Sequence, residues 1–233
     1  MPYDVLLLTY NRLPFLKQTI NGLFERIKTP FRLIVIDNNS SDGTREWIQE
    51  EERIYTNILL DKSESICKAY TLGLKKVESD LFFMMQDDVI VPKLEPDCFE
   101  QLINLIEKYP DHGGIGCRVQ KVPNISWTDG DLSPARKALS AYCRIQRKSD
   151  LIKVDGLGDR NWDDLEFVKR IRDKLGKKCS WANNLWCNHL GYMIPNKGYG
   201  KNNRLWGWSE SRMTEYLRKP YPEINPETNE PRK

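Results

Sequence analysis

Asp87 and Asp88 stand side by side where the apolar run Leu81-Phe82-Phe83-Met84-Met85 ends at Gln86, and Val89-Ile90-Val91-Pro92 follows. Adjacent carboxylates suit a hard divalent cation, because Mg²⁺ and Mn²⁺ prefer carboxylate oxygens and bridge to phosphates. The same residues also read as a strand followed by an Asp-rich turn. A second acidic pair, Asp163-Asp164, precedes Leu165-Glu166-Phe167. First-turn acids are favoured by a helix dipole, and a carboxylate so placed is also a candidate general base. The chain has two histidines. His189 lies in a polar and aromatic stretch and is a candidate ligand or phosphate contact. His112, in Pro110-Asp111-His112-Gly113-Gly114, reads as a turn residue.

These groups need a scaffold, and the apolar pattern supplies one. Asp4 to Tyr10, Leu33 to Ile36, Asn57 to Leu60 and Leu81 to Met85 are short, nearly unbroken apolar runs of the kind buried on both faces in a parallel sheet. Helical spacing separates them. Leu16, Ile20, Leu23, Phe24 and Ile27 follow Pro14; Trp47 and Ile48 follow the loop Asp37 to Thr44; Ser63 to Val77 carries Ile66, Tyr70 and Leu74 on one face; Phe99 to Ile106 follows the acidic pair. Alternating strands and helices from residue 4 to 110 predict right-handed βαβ crossovers, hence an α/β fold with a mostly parallel central sheet. Ligands of such sheets bind at the carboxyl ends of the strands, where Asp37, Asp87 and Asp88 fall. Further on, Leu151 to Asp155 is expected to resume a strand, and Asp163 to Leu175 is expected to be a helix closed by Gly176.

Composition narrows the function. No GxGxxG follows the first strand and no GxxxxGK[ST] occurs, which argues against a dinucleotide-type Rossmann domain and a P-loop enzyme. The formal net charge of +3 over 233 residues is too weak to imply a nucleic-acid or membrane partner. Arg118, Lys121, Arg136, Lys137, Arg144, Arg147, Lys148 and Lys153 form a basic segment, read either as phosphate-facing or as a solvated surface. The six cysteines show no CxxC and no framework spacing, which predicts free thiols in a reducing compartment. With no leader pattern and no apolar run of about 18 residues, a soluble cytoplasmic protein is expected.

Four segments, in order, resemble the family 2 glycosyltransferases of GT-A fold over roughly residues 3 to 195. They are Leu8-Thr9-Tyr10-Asn11-Arg12; Val35-Ile36-Asp37-Asn38-Asn39-Ser40-Ser41-Asp42-Gly43-Thr44; the Asp80 to Pro92 stretch, similar to the family's DXD segment; and Trp162-Asp163-Asp164-Leu165-Glu166-Phe167. His189-Leu190-Gly191 falls where many members carry His-x-Gly. The resemblance implies that residues 1–117 form a nucleotide-sugar-binding half and residues 118–233 an acceptor-binding and catalytic half of one domain. It implies Thr9, Tyr10, Arg12, Asp37, Asn39, Gln86 and Asp87 around a nucleoside-diphosphate sugar, a UDP-sugar foremost. It implies Mn²⁺ or Mg²⁺ on Asp88 and His189. It also implies Asp164, with Asp163 beside it, as the base of an inverting transfer to an acceptor hydroxyl of a glycan, a lipid-linked glycan or a modified nucleic acid. Gln86 departs from the family, which commonly has Asp there. Trp162 and Trp186 are candidate acceptor-stacking rings, as flat aromatic faces cover apolar sugar surfaces.

Two other readings stay open at this stage. One is a sugar-phosphate nucleotidyltransferase, although the turn Thr9 to Pro14 lacks the Gly-rich basic loop such enzymes tend to have. The other is a polyanion- or DNA-binding module built on the basic segment and the C-terminal tryptophans.

Overall fold

Among the described residues the strands form one nine-stranded sheet, and the apolar runs supply its first four. The structure is a computed structural model that describes residues 1–119, 130–160 and 163–190. Strands β1 (Tyr3–Thr9), β2 (Phe31–Asp37), β3 (Ile54–Leu59) and β4 (Leu81–Gln86) are mutually parallel in the order β3-β2-β1-β4. Helices α1 (Leu13–Arg26), α2 (Thr44–Glu50) and α3 (Ile66–Gly73) connect them, the last running on through a single 3₁₀ turn, Leu74–Lys76. The hydrophobic effect selects this arrangement: Val5, Leu6, Leu7, Leu33 to Ile36 and Phe82 to Met85 are all essentially inaccessible, so both faces of the sheet need helical cover. Phe83 stacks on Phe99 of α4 (Cys98–Lys108) with centroids 3.8 Å apart. Beside it in the strand, the Met85 carbonyl accepts the Tyr70 hydroxyl of α3 at 2.9 Å.

Beyond β4 the sheet changes direction. β5 (Val89–Ile90) is a two-residue strand directly after the acidic pair. β6 (His112–Val119), β7 (Leu132–Pro134), β8 (Cys143–Arg147) and β9 (Lys178–His189) complete the sheet, with helices α5 (Lys148–Lys153) and α6 (Asp163–Leu175). β8 is antiparallel to both β4 and β6, β6 is parallel to β9, and β5 and β7 pair antiparallel with β9. The β1–β2 register sets Thr9 opposite Asp37, and β1–β4 sets Leu8 opposite Gln86. Three carboxyl strand ends therefore lie level on one edge.

Three expectations are corrected. Leu151 to Asp155 is not a strand: residues 148–153 are helical, and Val154, Asp155 (φ +61) and Gly156 (φ +64) turn the chain. Apolar residues at 151, 152 and 154 suit a single turn of helix as well as a strand. Capping decides it, because the Asp80 carbonyl and carboxylate accept the first amides of α5, Lys148 and Ser149, at 2.7 and 2.8 Å. His112 is not in a turn but opens β6, with Nδ1 against Asp111 and Nε2 against Ser180 Oγ at 2.7 and 3.0 Å. The basic segment is not uniformly solvated, since Arg144 has no exposed surface.

Candidate active site

The chain turns sharply at Asp87-Asp88 because β4 belongs to one pairing direction and β5 to the other. Thr19, on the buried face of α1, fixes this turn. Its hydroxyl donates to the Asp87 carbonyl at 2.8 Å and accepts the Val89 amide at 3.2 Å. The turn holds both carboxylates inside the protein, Asp87 at 3% and Asp88 at 1% exposure. Asp87 accepts Thr9 Oγ1 at 2.7 Å and Arg12 Nη1 at 3.0 Å, and the same Nη1 reaches Asp88 Oδ2 at 2.9 Å. One guanidinium thus faces two carboxylates. Burial raises the Asp87 pKa to about 6, against the pull of Arg12 and with a further push from Asp88.

His189 completes this corner from the far side of the sheet. Pairing of Val89 with His189, and the Leu190 amide on the Asp88 carbonyl at 2.8 Å, bring its imidazole to the acidic pair. Nε2 lies 3.5 Å from Asp88 Oδ1, and the edge of Tyr142 packs on the ring at 4.8 Å. Burial lowers the His189 pKa, the charge of Asp88 opposing, so the imidazole is neutral at pH 7. Asp88 Oδ1 is buried and accepts no hydrogen bond. A desolvated carboxylate oxygen without a donor, beside a neutral imidazole, is a donor set that fits Mn²⁺, and Mg²⁺ less closely, since magnesium favours oxygen throughout.

Two interlocked loops follow the first two strands. Asn11 (φ +51) donates its amide to Ser40 Oγ at 2.8 Å, and its side-chain oxygen accepts the Ser41 amide at 2.7 Å. Asp42 links the same loops, accepting the Leu13 amide at 3.2 Å and the Thr44 amide at 3.2 Å at the start of α2. Asp37 is fully buried, with the Ser40 amide at 3.1 Å and Arg45 Nη1 at 3.2 Å on the same oxygen. Tyr10 is half-buried at the turn, and Asn39 is exposed with φ +69. Gln86, half-buried, ends β4 between these loops and the acidic pair.

Asp163 and Asp164 open α6, as their spacing predicts, but their surroundings differ. Asp163 is buried, and its pKa rises to about 6, chiefly through burial, with Arg144 opposing and Asp164 adding to the rise. Its Oδ2 lies 3.9 Å from Arg144 Nη2 and makes no hydrogen bond. Asp164 is half-exposed; its Oδ1 accepts the Leu165 amide at 2.8 Å and its Oδ2 faces the Ser140 hydroxyl at 3.4 Å. Arg144 is the charge beneath the pair. It bonds Gln146 Oε1 at 2.8 Å and the Leu139 carbonyl, and stacks 3.9 Å from the Phe167 ring centre. Trp186 is half-buried under Arg118, whose guanidinium sits 3.7 Å from the ring centre. Trp162 lies outside the described residues.

Sequence reasoning missed Thr19, Tyr142, Ser140 and the buried role of Arg144. Thr19 left one signal, a polar residue on the apolar face of α1 between Leu16 and Ile20. Arg144 left none, because one basic residue among eight looks like surface.

The comparisons fit this geometry. The sequence profile of Glycosyl transferase family 2 matches residues 4–156, well over half of the chain. Among solved structures, S. aureus TarS 1–349 in complex with UDP-GlcNAc aligns with TM-score 0.64 at 15% identity, covering 95% of this chain and 62% of that one. The mannosyltransferase PcManGT from Pyrobaculum calidifontis, in complex with GDP-Man and Mn²⁺, aligns with TM-score 0.65 at 16% identity over 84% of this chain and 58% of that one. The chain thus spans about three fifths of these two chains and 36% of the longer S. aureus TarS chain, and at such identity the likeness is one of fold. Among the described residues no helix is long and apolar enough to cross a membrane. The curled, mostly parallel sheet, the level strand ends and the family match together establish that this chain is a member of glycosyl transferase family 2 with a GT-A fold.

Proposed function

We propose that the chain transfers a sugar from a nucleoside-diphosphate donor to an acceptor hydroxyl, at the edge where β1, β2 and β4 end. The observation that carries this reading is the buried Asp87–Asp88 turn, with Arg12 on one side and His189 on the other. Family membership favours glycosyl transfer over nucleotidyl transfer, and the UDP-GlcNAc and GDP-Man complexes of the similar folds support a nucleotide-sugar donor.

Asp88 and His189 would hold a divalent cation, Mn²⁺ foremost. Such a cation, when bound, neutralises the diphosphate as it leaves. Thr9, Tyr10, Asp37 and Asn39 face the nucleoside; Asp37 is the acceptor for a base N–H once its loop adjusts. Gln86 and Asp87 border the ribose and sugar, and Arg12 offers its guanidinium to the diphosphate. Asp164 is the general base. Its partial exposure lets an acceptor reach it, whereas Asp163 is turned inward toward Arg144 and positions the start of α6. Asp164 takes the acceptor hydroxyl proton as that oxygen attacks the anomeric carbon from the face opposite the diphosphate, which inverts the centre. Trp186, with Trp162, stacks on the acceptor.

The test is release of nucleoside diphosphate from UDP- and GDP-sugars with Mn²⁺ and a panel of hydroxyl acceptors. Release by the wild type and not by Asp164→Asn supports the assignment. Pyrophosphate release from a nucleoside triphosphate and a sugar phosphate, with no diphosphate release from any donor, would replace it.

A further inference from the structure

Three of the six cysteines, Cys98, Cys117 and Cys143, meet at one point in the core with Cys187 beside them, although all four are scattered in sequence; Cys98 and Cys117, adjacent in the series, are already 19 residues apart. Each comes from a different element. Cys98 is the first residue of α4, Cys117 lies on β6, Cys143 on β8 and Cys187 on β9. The sheet register brings three of them onto one face. Ile115 pairs with Ile145 and Gly116 with Arg144, so Cys117 and Cys143 are the next residues along the two strands. Cys187 pairs with Val119, two residues along the same face from Cys117. The start of α4 then sets Cys98 over that face.

The sulfurs converge as their backbones do. Cys98 Sγ and Cys117 Sγ are 3.4 Å apart, and the sulfurs of Cys98, Cys117 and Cys143 all lie within 4.8 Å of one another. Cys187, on the strand paired with β6, lies next to this trio, although its sulfur is not within 4.8 Å of all three. All four residues are wholly buried, while Cys67 and Cys179 stand apart from the group.

We propose that Cys98, Cys117, Cys143 and Cys187 form a structural Zn²⁺ site of the four-cysteine type inside the core. The donor set is soft and uniform, which suits zinc and not the hard cation expected at Asp88. A Zn–S bond of about 2.3 Å in a tetrahedron places sulfurs roughly 3.8 Å apart; the Cys98, Cys117 and Cys143 sulfurs, within 4.8 Å of one another, approach that spacing, and Cys187 would turn inward to complete the set. An iron–sulfur cluster carries several irons and bridging sulfides between its thiolates and needs a wider cage. Cys98 sits at the amino end of an 11-residue helix, whose dipole favours a thiolate there. Burial, with the neighbouring thiols adding to it, drives the Cys117 thiol well above its ordinary pKa, so without a cation it keeps its proton. Binding Zn²⁺ would exchange the four thiol protons for four Zn–S bonds and release those protons to solvent, with no change of oxidation state. The ion would tie α4 to three strands and clamp β9 two residues before His189.

The test begins with tag-free wild-type protein purified without chelator from a zinc-sufficient culture. Elemental analysis should find one zinc per chain. A mercurial thiol reagent should release it as four thiols react, and protein refolded with Co²⁺ should show a thiolate-to-cobalt charge-transfer band, which carboxylate and imidazole ligands cannot give. Cys143→Ser should lose the metal, and Cys67→Ser and Cys179→Ser should keep it. Should Cys143→Ser fail to fold, the wild-type stoichiometry and the cobalt spectrum decide alone. Sub-stoichiometric zinc together with no cobalt band, or disulfides among these four cysteines in the untreated protein, would overturn the proposal.

Discussion

At the residue scale the two acidic pairs show how burial sorts chemically identical groups. Asp87 shares one guanidinium with Asp88, and Asp163 faces Arg144 without a hydrogen bond to it, so in both places a carboxylate is held where water cannot stabilise its charge. For Asp163 this has a measurable sign. Its pKa rises from 3.8 to about 6 on folding, so between these values the folded state binds more protons than the unfolded chain. This group's contribution to stability therefore falls as pH rises through that window, by about 3 kcal/mol in all. Asp163→Asn cannot titrate. Denaturant unfolding from pH 4 to pH 7 should show the variant gaining on the wild type by about that amount, whatever the offset between them at pH 4. A pH-independent difference would show that Asp163 is not a desolvated acid. Asp164→Asn is expected to slow transfer by roughly 10²–10⁴-fold, the usual worth of a general base, with donor affinity unchanged. Equal losses in kcat and in donor binding would place Asp164 in the donor site instead.

At the element scale the decisive contacts are where α6 meets β6. A Cβ on Gly114 would lie 2.6 Å from Phe167 Cζ, and one on Gly113 2.5 Å from Ile171 Cγ2, so α6 rests directly on a strand without side chains at those points. Gly114→Ala should cost about 1–3 kcal/mol through overpacking, read as a lowered melting temperature. It should also reduce transfer more than the lost stability accounts for, because it lifts the helix that carries Asp164. Unchanged activity in a destabilised variant would show that α6 need not be held so closely. The same glycines explain what the sequence hid. β1 to β4 are legible because their apolar runs carry the signal of strands buried on both faces. β6 is not, since Gly113, Gly114 and Gly116 lower its strand propensity while serving close helix packing. β8 alternates Cys143 and Ile145 with Arg144 and Gln146, which reads as half-exposed, yet Arg144 and Gln146 are both fully buried. Arg144 bonds Gln146 and the Leu139 carbonyl nearby in the chain, but the groups that cover it, Phe167 and Asp163, are distant in sequence, and no local pattern announces them.

For the whole molecule, the parallel half joins the other half along the β4–β8 ladder, and the Asp87–Asp88 turn sits where β4 leaves it. β4 delivers Asp87 and Asp88 from one, and β9 returns His189 from the other through its pairing with β5. The family resemblance made Thr9, Arg12, Asp37, Asp88 and Asp163-Asp164 candidates, and the fold sets Thr9 and Arg12 against Asp87, Arg12 also against Asp88, and His189 beside Asp88. What could not be read was the neighbourhood that gives each its charge state, because that depends on tertiary burial. The central claim is that this turn binds a nucleotide-sugar through a cation held by Asp88. Calorimetric titration of UDP-, GDP-, dTDP- and CDP-sugars into wild type and Asp88→Asn, each with Mn²⁺ and with EDTA, tests it most directly. The account predicts that one donor class binds the wild type with Mn²⁺, and that chelation and Asp88→Asn each weaken it at least tenfold while the variant stays folded. Binding indifferent to both, or no binding of any donor to the wild type, would contradict it.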